Sequence, residues 1–387
     1  MKELLIITSY YPPETGAASN RISHLANGLL NHGYKVSAVT PLPNYPTGKI
    51  FPEYKSKKKR ATLENGIQVY RLWIYASNSK NKLLRLFAML SYSISLISFF
   101  IRNKIPNKVI IQSPPLLVAF TCLLFLKRKH RKLILNVSDL WPLAGLELGV
   151  FKKNLSYKLL QKIERFNYNK ADLILGQSEE IITHVKTVLP NKNTFIYRNF
   201  PAFEAPSIPN RNETSPKIQL VYAGLLGVAQ GIYKLIQELD FSNIELHLYG
   251  NGAEREAITA YIEQNKHLPL FYHGELSREA LHKELMKYDA TIVPLVNRIY
   301  GSVPSKIFEY ARLGLPCLYF SGGEGESLVE SYKLGWTVDV ENYNALNKLL
   351  STLQKTDFSK ETRKSIQETA LREFSFDAQI EALTKYI

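Results

Sequence analysis

Hydrophobic positions along the chain fall into short runs that alternate with longer amphipathic stretches. The runs are rich in Ile, Leu and Val, as expected for strands buried on both faces of a sheet. Stretches such as residues 19–32 and 155–169 repeat apolar positions at helical spacing. Strands that alternate with helices predict an α/β fold built on parallel sheets. The predicted strands span residues 4–9, 35–40, 68–74, 109–113, 133–137, 173–176, 218–223, 245–249, 270–273, 290–294 and 316–320.

The number of predicted strands indicates two domains. About a dozen strands are too many for one comfortable doubly wound sheet, and 387 residues suffice for two or three domains. The stretch Asn199–Pro216 contains four prolines, which is typical of a linker. We therefore expect two Rossmann-like, doubly wound domains of similar size, with ligands at the carboxyl ends of the strands.

Composition excludes several classes of protein and locates the charge. Hydrophobic residues make up 45% and charged residues 21%, which excludes a disordered chain, a collagen and a disulfide scaffold. Cys122 and Cys317 lie in apolar runs and are predicted to be buried thiols of a reducing, cytoplasmic compartment. The first apolar run, Leu4–Ile7, is too short for a secretory signal and predicts a strand.

Positive charge is concentrated in the first half of the chain. The formal net charge is +15, but residues 1–200 hold 30 Lys and Arg against 10 Asp and Glu, whereas residues 201–387 hold 19 against 24. A one-sided basic half predicts an anionic partner, although each basic cluster is also compatible with a solvated loop. The two clusters are Lys55, Lys57, Lys58, Lys59 and Arg60, then Lys127, Arg128, Lys129, Arg131 and Lys132.

An apolar stretch between the two basic clusters favours an anionic membrane surface as that partner. Its longest uncharged run, Leu86–Ile101, has 16 residues, fewer than the roughly 20 that a spanning helix needs. We expect a helix that lies at the membrane interface, with a helix buried against a sheet as the alternative. The sequence shows no zinc, RNP or helix-turn-helix pattern that would indicate a nucleic-acid partner.

Glycine-containing loops follow several predicted strands. Gly16 lies in a small-residue loop that opens a helix, where backbone N–H groups and the helix dipole can hold an anion. This loop lacks the GxGxxG spacing, so dinucleotide binding is unsupported, and a tight structural turn is the alternative. Gly224 and Gly227 follow one strand of the second half, and Gly250 and Gly252 follow the next. Together these glycines predict a nucleotide site at two successive strand ends.

The segment VPSKIFEYARLGLP, residues 303–316, carries the most specific candidate chemistry. Pro304 restricts the chain before a helix, and Ser305 is positioned to cap that helix. Lys306 and Glu309 are three residues apart and share a helix face. A lysine suits a phosphate and a carboxylate suits ribose hydroxyls, so the pair predicts a nucleotide site. An i,i+3 salt bridge on a surface helix is the alternative.

These segments resemble the family 4 retaining glycosyltransferases, which have the GT-B fold of two Rossmann-like domains facing a cleft. The resemblance extends along nearly the whole chain, and two of its stretches look like bacterial O-antigen, capsule or colanic-acid enzymes, including N-acetylfucosamine transferases. The motifs that carry it are PNYPTGKIFPEY (43–54), SPPLL (113–117), NVSDLWP (136–142), YAGLLGVAQG (222–231), YGNGAE (249–254), VPSKIFEYARLGLP (303–316) and EFSFDAQIEAL (373–383).

The resemblance implies a nucleotide-sugar donor held mainly by a C-terminal domain, residues 199–372, and an acceptor held mainly by an N-terminal domain. The N-terminal domain would comprise residues 1–198 and a returning helix at 373–387. Retention of configuration without a bound metal or other cofactor is implied, and family frequency favours a UDP-sugar over a GDP-sugar. Glu309 matches the glutamate that holds the donor ribose. Asp139 matches an acidic position near the donor sugar or acceptor hydroxyl, with a structural cap as the alternative.

The sequence departs from the family pattern where the donor diphosphate binds. The first glutamate of the family's E-x7-E motif would fall on Gly301, and the diphosphate-binding Arg and Lys would fall near Leu225 and Gln230. A diphosphate in a partly dry site needs neutralising charge. We therefore expect Lys306 to stabilise the diphosphate, with Arg298 as a weaker candidate.

The predicted function is a glycosyltransferase at the inner face of the plasma membrane, which extends a lipid-linked, polyprenyl-diphosphate glycan in O-antigen, capsule or exopolysaccharide synthesis. A hexose or N-acetylhexosamine would be transferred, with Lys306 and Asp139 as catalytic residues and the backbone of Gly16 assisting at the leaving diphosphate. Two alternatives stay open. One is a nucleotide-sugar 2-epimerase of the same fold, and the other is a non-catalytic protein that binds nucleotide sugars or glycolipids.

Overall fold

The computed structural model describes residues 2–56, 60–79, 81–150, 152–210, 215–296 and 299–387. The chain forms two compact units. Unit 1 comprises residues 1–199, 299–302 and 377–387, and unit 2 comprises residues 200–298 and 303–376. The C-terminal return to unit 1 therefore begins at residue 377, a few residues later than the sequence indicates, and the short segment 299–302 joins unit 1 as well.

Each unit contains one sheet. The sheet of unit 1 consists of β1 (Lys2–Ile7), β2 (Tyr34–Pro41), β3 (Ala61–Glu64), β4 (Ile67–Leu72), β5 (Lys108–Ser113), β6 (Lys132–Val137), β7 (Leu173–Gly176) and β8 (Thr194–Ile196). Its strand order is β3-β4-β2-β1-β5-β6-β7-β8, and every pair is parallel except β3 with β4. The sheet of unit 2 consists of β9 (Ile218–Ala223), β10 (Ile244–Tyr249), β11 (Leu270–Tyr272), β12 (Ala290–Pro294), β13 (Cys317–Phe320) and β14 (Gly335–Val338). Its order is β11-β10-β9-β12-β13-β14, and it is parallel throughout.

Helices connect most successive strands, as the alternating sequence pattern predicts, whereas β2, β3 and β4 follow one another without an α-helix. The helices are α1 (Ala17–Asn31), α2 (Lys82–Arg102), α3 (Leu116–Leu126), α4 (Leu143–Glu147), α5 (Leu155–Lys170), α6 (Glu179–Val188), α7 (Ile232–Glu238), α8 (Arg255–Gln264), α9 (Arg278–Leu285), α10 (Lys306–Arg312), α11 (Glu324–Ser331), α12 (Tyr343–Thr352), α13 (Lys360–Glu373) and α14 (Phe376–Thr384). Short 3-10 turns occur at Pro52–Tyr54 and Lys355–Phe358.

The central strands are buried on both faces. Alternate residues of β9 enter two different cores, with Val221 in one and Leu220 and Tyr222 in the other. Cys122 and Cys317 are free, buried thiols, as expected from their apolar surroundings. The doubly wound α/β architecture predicted from the sequence is therefore confirmed in both units.

The sequence pattern missed three strands, all at sheet edges. β3 and β8 are the two edges of the unit 1 sheet, and β14 is one edge of the unit 2 sheet. Their side chains are half-buried or alternate in exposure. Because an edge strand is not buried on both faces, it needs no continuous apolar run, and such a run was the pattern used to find strands.

Helix α2 has one face buried on unit 1 and one exposed face. It has 21 residues, and its part Leu83–Arg102 is long and apolar enough, by length and composition, to cross a membrane. The inner face packs on unit 1, where Leu96 is buried and the Tyr92 hydroxyl donates to the Thr8 carbonyl at 2.9 Å. The opposite face is exposed and apolar. This outer stripe of α2 consists of Leu83, Phe87, Leu90, Ile94 and Ile101.

The proline-rich stretch is not a free linker over residues 200–210. The Phe200 ring lies 5.0 Å from the Phe308 ring, centroid to centroid. Arg312 Nε donates to the Phe203 carbonyl at 2.6 Å. These contacts hold the start of the segment against α10, so it is packed on unit 2.

Candidate functional site

Two glycine loops interlock at the carboxyl ends of β9 and β10. The amide of Gly224 donates to the Tyr249 carbonyl at 2.9 Å. A side chain at Gly250 would overlap the Gly224 carbonyl, and one at Gly224 would overlap the Lys306 ammonium. Gly252 packs in the same way against the backbone of the first loop. The glycines that the sequence singled out therefore permit this close approach of backbone to backbone and to lysine.

Lys306 lies beside these loops at the first position of α10. Its Nζ donates to the carbonyl of Ala223, the last residue of β9, and lies 4.6 Å from the centroid of the Tyr222 ring. Burial lowers the pKa of Lys306 to about 8, although the negative charge of Glu309 acts in the opposite direction. Because an ammonium has three N–H donors, Lys306 keeps donors beyond the one used by Ala223.

Glu309 pairs with helix α9 and forms no salt bridge with Lys306. Its Oε1 lies 2.6 Å from His282 Nε2 and 3.4 Å from Arg278 Nε. Burial alone would raise the pKa of Glu309, but the His282 hydrogen bond and the Arg278 charge outweigh burial and lower it. Oε2 has no partner among the residues that the structure describes. The carboxylate is thus ionised and presents one uncommitted oxygen.

A cavity of about 260 Å³ opens at this edge of the unit 2 sheet. Leu281 of α9 lines it, and the next residue of α9 is the His282 that holds Glu309. The carboxyl edge of a parallel sheet is where this fold class binds its ligands. The other lining residues are Gly224, Leu225, Tyr249, Gly250, Asn251, Glu275 and Leu276.

Several residues around the cavity escaped the sequence analysis. Arg278 and His282 are spaced i,i+4 on α9, which was the only signal that they share a helix face. Asn251 follows β10 and Glu275 follows β11, and the Asn251 side-chain amide donates to Glu275 Oε2 at 3.1 Å. The order of strands in the sheet brings these two residues together. No local sequence pattern could therefore link them.

Ser305 lies at the start of α10, and Gly227 lies in a turn after β9. Ser305 occupies the N-cap position of α10, but its side chain makes no capping hydrogen bond. The Ser305 backbone is already helical, with φ −61° and ψ −19°. A residue whose side chain caps a helix normally has an extended backbone. The capping prediction for Ser305 is therefore wrong. Gly227 begins a turn in which its carbonyl accepts from the Gln230 amide at 3.0 Å.

Two positions that depart from the family pattern have different surroundings. Leu225 is 62% exposed and lines the cavity, where it contributes an apolar side chain in place of the family's cation. Gly301 has φ 86°, and a Cβ there would lie 2.9 Å from Ile181 Cγ1 and 3.1 Å from Leu140 Cδ1. A glutamate at position 301 would be strained and crowded, so the first half of the E-x7-E pattern is not accommodated.

Asp139 follows the carboxyl end of β6 in unit 1. Ser138 Oγ donates to Asp139 Oδ2 at 3.4 Å. Burial raises the pKa of Asp139, while the positive charge of Arg21 and the Ser138 bond act to lower it. The adjoining helix α4 has Pro142 at its N-cap and no side-chain cap. Asp139 is therefore a partly desolvated carboxyl group and does not cap α4.

Arg21 of α1 organises the strand ends around Asp139 and was missed by the sequence analysis. Its guanidinium donates to Asn136 Oδ1 and the Tyr197 carbonyl, both at 2.9 Å, and to Gln177 Oε1 at 2.7 Å. Burial lowers the pKa of Arg21 to about 10. The partners are more than one hundred residues away in sequence, so no motif could connect them.

Gly16 is the N-cap residue of α1 and has no side-chain capping bond. A Cβ on Gly16 would lie 3.9 Å from Tyr45 Cε1, and the Tyr45 ring lies 5.8 Å from the Tyr10 ring, centroid to centroid. The Tyr45 ring thus borders the first turn of α1, and the Tyr10 ring packs on Tyr45.

The described residues show no metal-binding cluster, and some of the predicted basic residues lie outside them. Within the described ranges, no group of three or more His, Cys, Asp or Glu side chains is arranged to hold a metal ion. Arg298, the weaker diphosphate candidate, and Lys57, Lys58 and Lys59 of the first basic cluster lie outside the described residues.

Family comparisons assign both units. Residues 16–193 match the family described as glycosyl transferase 4-like domain, and residues 206–372 match glycosyl transferases group 1. The two matches together cover most of the chain, so the protein belongs to the family 4 type of glycosyltransferases and uses nucleotide sugars. No curated protein sequence gives a match.

Solved structures show the same GT-B fold. Sucrose-phosphate synthase from Thermosynechococcus elongatus has a TM-score of 0.73 at 14% identity, covering 100% of this chain and 98% of its own. The lipopolysaccharide outer core galactosyltransferase WaaB has a TM-score of 0.65 at 15% identity, with 100% of both chains covered. Anabaena HepE in complex with UDP has a TM-score of 0.67 at 12% identity, covering 100% and 99%. At these identities the likeness establishes the fold.

Proposed function

We propose that the protein is a retaining glycosyltransferase that moves a hexose or N-acetylhexosamine from a UDP-sugar to a lipid-linked glycan. The observation that carries this proposal is the cavity of unit 2, which Gly224 and Gly250 line. The Lys306 ammonium lies against Gly224, and Glu309 binds His282, the neighbour of the lining residue Leu281; neither Lys306 nor Glu309 itself lines the cavity. The complexes of Anabaena HepE with UDP and UDP-glucose support a uridine nucleotide as the ligand of such a site. The glycan would belong to O-antigen, capsule or exopolysaccharide synthesis at the inner face of the plasma membrane.

Each candidate residue has a chemical role in this proposal. The Lys306 ammonium donates to the leaving diphosphate, whose negative charge grows in the transition state. The uncommitted oxygen of Glu309 accepts from a ribose hydroxyl. Asp139, whose pKa is raised by burial, accepts the proton of the acceptor hydroxyl as that oxygen attacks the sugar carbon from the face that the diphosphate leaves. The bond to the diphosphate breaks as the new bond forms on the same face, so the configuration is retained. No resident metal takes part in these steps as proposed.

The exposed face of α2 supports a membrane-bound acceptor. Leu83 is 73% exposed, Ile94 67% and Ile101 79%. On the neighbouring helix α3, Leu124 and Phe125 are about half exposed. Apolar surface of this extent is unusual on a protein that contacts only water. A helix with one buried face and one exposed apolar face is suited to lie against a bilayer.

Positive charge at the end of this apolar face fits anionic lipid. Arg131 donates to the Leu126 and Ile105 carbonyls and so ties the end of α3 to the segment after α2. Lys127 pairs with Asp172. Arg131 and Lys127, two members of the second basic cluster, therefore have structural partners. The exposed cations near this junction are Arg102, Lys104, Arg128 and Lys129. Each such cation contributes about 1 kcal/mol of attraction to an anionic leaflet.

Replacing Leu90 and Ile94 together by Gln is expected to weaken vesicle binding by about tenfold or more, since each apolar side chain contributes roughly 1.5 kcal/mol or more when buried. Flotation with vesicles containing phosphatidylglycerol measures this, and rising salt should release the wild-type protein. Leu155→Gln is the matched control, because Leu155 is 84% exposed on α5, away from the stripe. Absence of wild-type binding at low salt would overturn the membrane assignment.

Transfer itself is tested by incubating the purified protein with UDP-sugars and a bacterial membrane extract. We expect UDP release together with a longer lipid-linked glycan whose new linkage keeps the anomeric configuration of the donor. EDTA should leave the rate unchanged under this proposal. UDP release or sugar isomerisation without an elongated acceptor would favour the epimerase alternative, and no turnover with any donor would favour a binding protein.

A further inference from the structure

Arg85 is the only charged residue between Leu83 and Ile101 of α2. It lies seven residues before Tyr92, close to two helical turns, so the two side chains share one face of the helix. The Tyr92 hydroxyl donates to Thr8, the residue that follows β1. Arg85 therefore lies beyond the carboxyl end of β1, on the side of α2 opposite the outer stripe.

Arg85 is close to Tyr10 and is not neutralised. Burial raises the pKa of Tyr10 and Glu14 adds to this increase, whereas the Arg85 charge opposes it, so Arg85 lies within electrostatic range of the Tyr10 hydroxyl. The Glu14 carboxylate is committed elsewhere, since Oε1 accepts from the amides of Asn44 and Tyr45 at 2.7 and 2.8 Å. Arg85 is exposed and has no salt-bridge partner in the described part of the chain.

Exposed aromatic rings surround this end of α2. Tyr45 is 47% exposed and packs edge-on against Tyr10 at 5.8 Å. Tyr75 and Phe87 pack at 5.0 Å and are also exposed. Rings with one open face can pack on the C–H face of a sugar, and tyrosine and tryptophan add a hydrogen-bonding group. Phe87 also belongs to the outer stripe, so the ring cluster and the stripe are continuous.

We propose that Arg85 binds the phosphate of an amphiphilic acceptor, with its first sugar against the Tyr10–Tyr45 pair and its apolar chain passing around the first turn of α2 to the outer stripe. Arg85 and Leu83, the first residue of the stripe, lie on opposite sides of that turn, so the cation stands between the Tyr10–Tyr45 pair and the apolar stripe. A lipid-linked sugar has the same order of alkyl chain, phosphate and sugar. This inference rests on the proposed function, because it names the acceptor subsite of that reaction.

The test is calorimetric binding of decyl diphosphate to the full chain, with saturating UDP present to occupy the nucleotide site. Arg85→Ala is expected to weaken binding by about tenfold or more, because a guanidinium binds a phosphate through two charge-assisted hydrogen bonds. Arg85→Lys should retain part of the affinity, since lysine keeps the positive charge but cannot donate two parallel hydrogen bonds as the guanidinium does. Arg102→Ala removes an exposed arginine at the other end of α2 and should leave the affinity unchanged.

Two results would overturn the inference. One is that wild type and Arg85→Ala bind decyl diphosphate equally or not at all. The other is that Arg85→Ala and Arg102→Ala lower binding to phosphatidylglycerol vesicles alike while leaving decyl diphosphate binding intact, which would make Arg85 a contact for bilayer headgroups. If Arg85-dependent diphosphate binding is found but no sugar transfer, the subsite stands and the transferase proposal fails.

Discussion

Replacing Asp139 by Asn is expected to lower the turnover rate of sugar transfer by about 10²–10⁴-fold, the range of a lost general base. The amide cannot accept the proton of the acceptor hydroxyl, whereas its size matches the carboxyl group. Turnover at saturating donor and acceptor measures the loss, and UDP affinity should stay unchanged because the nucleotide is assigned to unit 2. Since burial raises the pKa of Asp139, wild-type activity should fall with decreasing pH already above the usual titration range of an aspartate.

Ser138→Ala provides the control for this experiment. It removes the hydroxyl that donates to Asp139 Oδ2 and keeps the carboxyl group. Activity should change little, and the acid limb of the pH profile should move upward because a bond that stabilises the carboxylate is lost. Full activity of Asp139→Asn would remove Asp139 from the chemistry and leave it a structural group near Arg21.

Replacing Lys306 by Met is expected to lower kcat/KM for the donor by about 10²–10³-fold, the usual cost of removing one group that stabilises developing charge. Methionine has a similar shape, and the Ala223 carbonyl keeps its bond from the Tyr310 hydroxyl at 3.1 Å. The fold should therefore survive, which the thermal unfolding midpoint checks. Lys217→Met is the matched control, because Lys217 also donates to a backbone carbonyl of unit 2, that of Phe241, at 2.7 Å.

The pH dependence of donor use should carry the signature of the same lysine. The pKa of Lys306 is lowered to about 8, so the ammonium is present below that pH and is lost above it. Wild-type kcat/KM for the donor should therefore decline as the pH rises through about 8. Lys306→Arg stays charged in this range and should show no such decline. A flat wild-type profile, with Lys306→Met as active as wild type, would exclude Lys306 as the diphosphate ligand.

The two units differ in where their cations lie. The candidate nucleotide site offers one partly desolvated lysine and interlocked backbone loops, with Leu225 where the family pattern has a cation. In unit 1 the exposed cations accompany the apolar face of α2 and α3. The 30 basic residues, against 10 acidic ones, in the first half of the chain would supply the cations for the proposed membrane and acceptor contacts.

Buried strands could be predicted from the sequence, and less buried ones could not. Central strands were found because burial on both faces requires apolar runs, whereas the edge strands β3, β8 and β14 carry no such requirement. The alternatives for α2 could not be separated, because apolar content does not show which face packs on the sheet. Only the contacts of Tyr92 and Leu96 identify the inner face, and only the exposure of Leu90 and Ile94 identifies the outer one.

By itself, the sequence determined the two-unit α/β architecture, the family and the loops that carry the site, because these depend on local periodicity and short motifs. Tertiary structure alone decided which groups meet. In the folded protein Lys306 binds the Ala223 carbonyl and Glu309 binds His282, although Lys306 and Glu309 share a helix face. Arg21 binds Asn136 and Gln177. These pairings depend on strand order and helix packing between distant segments, which no local pattern encodes.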